Sequence, residues 1–417
     1  MRVYKFGGAS VKDAWGVKNL GNIVSKAEGP LIVVVSALGK TTNSLENVLL
    51  SILKGDDAYS SEFQNIADYH LTLAESLFGR EKANSLLLPL INEIINIMPG
   101  LMGKDYDLAY DQLVSQGEIL STKIVDRWLN NEGINSEWID IRKLLITDSK
   151  FRDAGVDWEE TKNRMKPVLL ADKEKVFVTQ GFIGGTLKGE TTTLGREGSD
   201  YTAAIVSNIC DASELTIWKD VPGVLNADPL WMQDTRKLQN ISYKEAVEMS
   251  FSGAKIIHPK TIKPLHNKSI PLYVKSFIDP QERGTIVSVN ESIDQDVPVY
   301  VRKEAQVLLS LIPRDFSFAI GDNLGKIFQV FNSCAIKANL VQASAVSVAV
   351  CVDEEKRKID RLNSLLHGDY KMLVNEGVEL LTLRHYDESA INKLTGGKEI
   401  LLEQRTRKSI RFVVKKD

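Results

Sequence analysis

Residues 1–36 read MRVYKFGGASVKDAWGVKNLGNIVSKAEGPLIVVVS, and three elements follow one another in them. Residues 3–6 read as a short strand, and residues 11–26 carry apolar positions at helical spacing. Residues 31–36, LIVVVS, form a continuous β-branched run, the pattern of a strand buried on both faces of a parallel sheet.

The same alternation continues outward. Helical periodicity recurs at 43–53, 62–77, 81–97 and 108–130, a long helical run for a simple doubly wound fold. Strand patterns follow at 136–139, 175–179, 214–218 and 271–274, with helices expected at 157–170, 200–208, 242–249 and 259–267. Sequential βα alternation predicts an α/β sandwich around a mostly parallel central sheet. The character changes near residue 290. Residues 290–296 are polar and acidic, as in a linker. Strands at 307–312, 338–343, 347–352, 372–374 and 378–383 then alternate with helices at 324–331 and 356–366, the βαββαβ order of a ferredoxin-like plait. The remainder, a short helix and two strands, reads as an incomplete second copy.

Composition excludes several classes. The 417 residues are enough for two or three domains, 43% are hydrophobic and 26% charged, and the formal charge is −3. That balance gives no electrostatic reason for a nucleic-acid or anionic-membrane partner. The basic tail from Gln404 lacks an aromatic platform and reads as a solvated chain end. Cys210, Cys334 and Cys351 are isolated, which fits burial in a reducing compartment rather than zinc or disulfides. No apolar run reaches membrane length and the N-terminus has no export pattern, so a cytoplasmic protein is expected.

Two nucleotide signatures fail. Gly39-Lys40-Thr41 mimics the end of a Walker A loop, but its first glycine would fall at Val34; no GxGxxG follows the first strand. Five other segments could carry chemistry. KFGGAS (5–10) puts paired glycines between strand and helix, where Gly7, Gly8 and Ser10 could admit an anion beside Lys5; a plain turn is the alternative. TTTLGREGSD (191–200) concentrates hydroxyls, Arg196 and Asp200 before a helix; Arg196 can pair with a carboxylate and Asp200 could hold Mg²⁺, or Ser199 or Asp200 could simply cap the helix. WKDVPGVLNADP (218–229) has two turn signals after a strand, positioned for a nucleotide or for a structural loop. In FSGAKIIHP (251–259), Lys255 could reach phosphates, and His258 reads as a packing residue. SQGE (115–118) places Glu118 inside a long helix, where solvent exposure is the plain alternative.

Taken in order, the five segments resemble the aspartate kinases of the amino acid kinase superfamily. KFGGAS resembles that family's opening KFGGTS, and SQGEILST, TQGFIG, TTTLGREGSD, DVPGV–ADP and GAKIIHP have close equivalents there. The resemblance implies transfer of the γ-phosphoryl of ATP to the side-chain carboxylate of L-aspartate, with Mg²⁺. It implies that Lys5 stabilises the phosphoryl group, Asp200 organises the metal, and Lys255 meets the nucleotide phosphates. Glu118 and Arg196 would hold the aspartate α-ammonium and α-carboxylate, Thr42, Phe182 and Ser199 would complete that pocket, and Gly7, Gly8, Ser10, Lys219, Asp220 and Leu225 would line the nucleotide. The nucleophile is a carboxylate with a reference pKa of about 4, so no general base is needed.

Some positions depart from the commoner pattern. Glu197 replaces a glycine, bringing negative charge toward the phosphate path. Lys219 replaces Thr, Leu225 replaces Tyr and Leu230 replaces Arg; Lys219 could restore the charge absent at Leu230. Residues 1–289 would be the kinase domain. Residues 303–375 and 376–417 resemble paired ACT domains, one whole and one partial, which bind amino-acid effectors and join subunits into a homodimer or higher homo-oligomer. Asn339 stands where lysine-sensitive relatives carry an acid, so insensitivity to lysine is one expectation. With the chain ending at this region, no fused homoserine dehydrogenase is expected. A glutamate 5-kinase, or a degenerate kinase acting as an amino-acid sensor, are the competing readings.

Overall fold

The computed structural model describes residues 1–254, 256–290, 297–315 and 317–416. The chain forms two compact units, Met1–Val224 with Lys237–Val247 and Ile256–Ile293, and Leu225–Arg236 with Glu248–Lys255 and Asp294–Asp417.

Among the described residues the first unit holds an eight-stranded sheet. Its order is Ser136–Ile139, Val176–Gln180, Leu31–Val35, Arg2–Phe6, Glu214–Lys219, Leu272–Ser276, Thr285–Ser288 and Asn240–Ser242. All neighbours are parallel except Leu272–Ser276 with Thr285–Ser288. Tyr4, Phe6, Leu31, Val33 and Val35 enter a core built with helices Ala14–Val24, Thr41–Lys54, Tyr59–Phe78, Arg80–Ile97 and Tyr106–Asn131. The alternating residues Val3, Ile32 and Val34 are buried as well, as a strand covered on both faces requires. Phe6 stacks on Trp218, with ring centroids 6.1 Å apart and planes 5° from parallel, locking the two central strands.

Sequence periodicity placed most elements to within a few residues. The first helix starts at Ala14 rather than residue 11, because Asp13 caps it by accepting the Gly16 N–H. Five strands of this unit lie outside that reading: the sheet-edge pieces Thr285–Ser288 and Asn240–Ser242, and Ile146–Thr147, Ile183–Thr186 and Thr191–Thr193, which form a small second sheet. Runs this short contain no measurable period.

Among the described residues the second unit holds a six-stranded antiparallel sheet, ordered Ala338–Ala343, Val348–Asp353, Val299–Pro313, Tyr370–Arg384, Ser409–Lys415, Ile400–Arg405. The expected strands 372–374 and 378–383 are one 15-residue strand, Tyr370–Arg384. Its first half pairs with residues 308–313, and its second half with residues 299–306. The plaits are therefore nested: the strand closing the incomplete second copy comes from ahead of the first. The register shifts between Lys303 and Leu308, and Ala305 and Gly377 take left-handed backbones there. On the second half, Ala227 and Met232 pack with Leu381, Leu383, Leu394 and Phe412, covering a face that helix Lys356–Leu366 covers on the first. Of the expected linker 290–296, residues 291–296 lie outside the described residues.

Candidate active site

Because the central strands run parallel, Lys5, Ser36 and Lys219 all arrive at the same carboxyl edge of the sheet. A cavity of about 650 Å³ opens there within the first unit, and its lining includes Lys5, Thr42, Glu118, Phe182, Arg196, Ser199, Asp200 and Lys219. Residues scattered from position 5 to position 219 thus share one site.

Lys5 Nζ lies 2.7 Å from Asp200 Oδ1 in a nearly fully buried ion pair. Burial raises the Asp200 carboxyl, but the charges of Lys5 and Lys219 outweigh it and hold the group below the usual carboxylate range. Asp200 does not cap its helix. The helix Gly198–Ile209 is preceded by Glu197 at its N-cap, and Asp200 sits in the first turn, aimed at Lys5. Close packing fixes that start: a Cβ at Gly181 would come 2.4 Å from the Ser199 Cβ, and one at Gly198 would come 2.6 Å from the Phe182 ring. Phe182 itself has φ +71°. Gly8 has a similar purpose, since a Cβ there would lie 2.3 Å from the Ala37 carbonyl oxygen.

Glu118 is buried, not solvent-exposed, on helix Tyr106–Asn131. Gly117 lets that helix approach Thr41 and Ala37 closely. Burial pushes the Glu118 carboxyl up to about 8 against the opposing charge of Lys5 and a hydrogen bond from the Ala37 N–H. Its Oε2 has no hydrogen-bond partner among the described residues. A buried acceptor without a partner is costly, about 1–3 kcal/mol, and fits an incoming cationic donor. Arg196 is exposed at the cavity wall.

Several expected residues fall elsewhere. Gly7 and Ser10 do not line the cavity, whereas Gly8 does; the Gly7 carbonyl accepts the N–H groups of Ser10 and Val11, so those two amides are spent within the turn. Asp220 is exposed and does not line it either, because it follows the strand end and points to solvent. Leu225 and the highly exposed Leu230 belong to the second unit. Lys255 lies outside the described residues. His258 accepts the Lys260 N–H, capping helix Pro259–His266.

Tyr110 and Arg152 line the cavity from outside the five segments, and Thr193 lines it from within TTTLGREGSD. The Arg152 guanidinium stacks 4.5 Å from the Tyr110 ring centroid. Asp111 binds the Thr193 hydroxyl at 2.7 Å, the Thr193 N–H at 2.8 Å and the Arg152 N–H at 3.0 Å. Asp111 is one of several acids on this mixed helix, and only the fold reveals its partners.

Among the described residues, no three His, Cys, Asp or Glu side chains cluster as a metal cage. The buried Asp200 carboxylate fits the other usual arrangement for Mg²⁺, in which one or two carboxylates are joined by substrate phosphates and water. No helix among the described residues is long and apolar enough to cross a membrane.

A parallel sheet with a cationic, glycine-lined cavity at its carboxyl edge defines a phosphate-handling α/β protein. Residues 1–276 match the model of the amino acid kinase family, and the chain belongs to that family. Within it the chain is 31% identical over 352 residues to the lysine-sensitive aspartokinase 3 of Escherichia coli, covering 84% of this chain and 78% of that one. Its structure superposes on E. coli aspartokinase III in complex with aspartate and ADP with a TM-score of 0.84 and 28% identity, covering 100% of this chain and 96% of the other. It is also 30% identical over 302 residues to the chloroplastic bifunctional aspartokinase/homoserine dehydrogenase 2 of Arabidopsis thaliana, covering 71% of this chain and only 33% of that longer protein. The chain's place within the family is among the aspartokinases.

Proposed function

We infer that the chain catalyses ATP-dependent phosphorylation of the L-aspartate side-chain carboxylate, giving 4-phospho-L-aspartate. The observation that carries this reading is the convergence of Lys5, Glu118, Arg196 and Asp200 on one cavity. The partnerless Glu118 oxygen receives the substrate's α-ammonium, and Arg196 receives its α-carboxylate. Thr42, Phe182 and Ser199 shape the space between them. This leaves the side-chain carboxylate, already ionised at neutral pH, as the attacking group. Its oxygen forms a bond to the γ-phosphorus while the bond to the bridging oxygen breaks, and ADP departs. Lys5 follows the charge on the transferring group, and Asp200 keeps Lys5 in place. Mg²⁺ bound to the nucleotide would neutralise phosphate charge beside Asp200. No proton transfer is required, which agrees with a site where alignment and charge carry the catalysis.

Residues 1–289 are assigned as the catalytic domain, and 303–375 and 376–417 as paired ACT-like domains in a cytoplasmic homo-oligomer. In the second unit Lys303 Nζ bonds Asn339 Oδ1 and Asp353 Oδ1, each at 2.8 Å, and Asn339 also donates to Gln306 and Asp353. This cluster already contains an ammonium, which supports weak or absent lysine feedback.

The test is to incubate the protein with Mg-ATP, hydroxylamine and single amino acids and measure hydroxamate. Aspartate alone should give signal. A signal from glutamate would favour the related kinase reading, and none at all would favour a sensor. Lys5→Ala should lower kcat by about 10²-fold or more, whereas Glu118→Ala should chiefly raise the KM for aspartate; the reverse pattern would exchange their roles.

A further inference from the structure

Glu197 and Lys219 both line the cavity, and both turn their charged ends toward one short segment outside its lining. Glu197 Oε2 accepts the His258 N–H at 2.8 Å, and Lys219 Nζ donates to the Ile256 carbonyl at 2.8 Å. One carboxylate and one ammonium thus hold consecutive parts of the same backbone. Between them Ile257 is buried, which anchors the segment from below.

We propose that Glu197 and Lys219 act as a positioning pair, a two-point clamp that fixes residues 256–258 beside the nucleotide end of the cavity. The proposal rests on the kinase reading above. Glu197 occupies the N-cap of helix Gly198–Ile209, and its carboxylate reaches the N-cap backbone of helix Pro259–His266. It therefore pins together the starts of two helices that pack on each other, with Asn208 donating to the Pro264 carbonyl farther along. A carboxylate near two helix N-termini is electrostatically favoured, and its charge is drawn away from the phosphate path. Lys219 completes the clamp at Ile256 and adds positive charge toward Asp200.

The backbone at Glu197 strengthens the case. Its φ is +54°, a left-handed conformation that glycine adopts freely and a side chain adopts at a cost. A position whose backbone suits glycine yet carries glutamate has a use for the side chain, and the His258 N–H is what that side chain binds. The two departures at 197 and 219 are then one device.

Glycine at 197 suits the existing backbone, so Glu197→Gly keeps the fold and removes only the tether. Hydrogen exchange by mass spectrometry on the full chain should show faster exchange in the peptide containing His258 for Glu197→Gly. Protection should return in Glu197→Gln, whose amide oxygen still accepts the bond. In the hydroxamate assay Glu197→Gly and Lys219→Thr should each raise the KM for ATP about 3–10-fold, as loss of one modest contact does, with the KM for aspartate unchanged. The double variant should lose little more than either single one. Unchanged exchange at His258 in Glu197→Gly, or equal loss in Glu197→Gln, would overturn the clamp. So would fully multiplicative effects in the double variant. If the wild-type protein gave no hydroxamate, the kinase reading would fail, while the exchange data would still decide the tether.

Discussion

Glu118 is the residue whose physics most exceeds its appearance in the sequence. Its folded pKa stands near 8 against an ordinary value of 4.5, because burial disfavours the charged form. The folded protein therefore binds a proton that the unfolded chain has released between those two values. Stability falls as pH rises through that window, and Glu118→Gln should flatten this part of the curve. Function runs the other way. An α-ammonium beside Glu118 needs the carboxylate, so aspartate binding expels the proton. From pH 6 to 8 the KM for aspartate should fall, approaching about tenfold per unit well below the pKa, and Glu118→Gln should abolish the trend. A wild-type KM independent of pH over this range would remove Glu118 from the ammonium site.

At the scale of elements, the cavity depends on a long helix holding a very short strand. Asp111 on helix Tyr106–Asn131 gathers three donors from Thr193 and Arg152, fixing the entry to the loop that carries Arg196 and leads into the helix bearing Asp200. Burial raises its pKa, although these bonds oppose the shift. Asp111→Ala would strand buried donors, at about 1–3 kcal/mol each. The urea midpoint should drop accordingly, and activity should fall even under conditions where the variant remains folded. An unchanged midpoint would mean that the Thr191–Thr193 strand is held by other means. Elements also differed in how plainly they could be read beforehand. Leu31–Val35 was evident because five apolar residues in a row suit little else, whereas Thr191–Thr193 contains three hydroxyls and no pattern. Phe182 and Glu197 have left-handed backbones that follow from close packing at Gly181 and Gly198, and residue type gave no hint of them.

For the whole molecule, the second unit bears on assembly. Ala319 donates to the Ala345 carbonyl, setting two loops side by side with Phe318, Ile320 and Val346 all more than half exposed. Clustered apolar side chains of this kind mark association surfaces. Sedimentation should report a species larger than 46.5 kDa, and Phe318→Asp combined with Val346→Asp should shift it toward monomer. A wild-type protein that sediments as a monomer at micromolar concentration would dismiss the homo-oligomer.

The order of the longer strands and helices and the glycine-rich turn after the first strand were legible in the sequence, since periodicity and residue chemistry are local properties, whereas Lys5, Glu118, Arg196 and Asp200 stood out through the resemblance of their segments to a known family. Tertiary structure decided the rest. It closed the second plait with a strand from ahead of the first, turned the Ser10 and Val11 amides onto the Gly7 carbonyl, buried Glu118 and turned Glu197 and Lys219 onto a common backbone segment. Those outcomes depend on which distant atoms meet and how much water is excluded where they do, and neither quantity is encoded in any short stretch of residues.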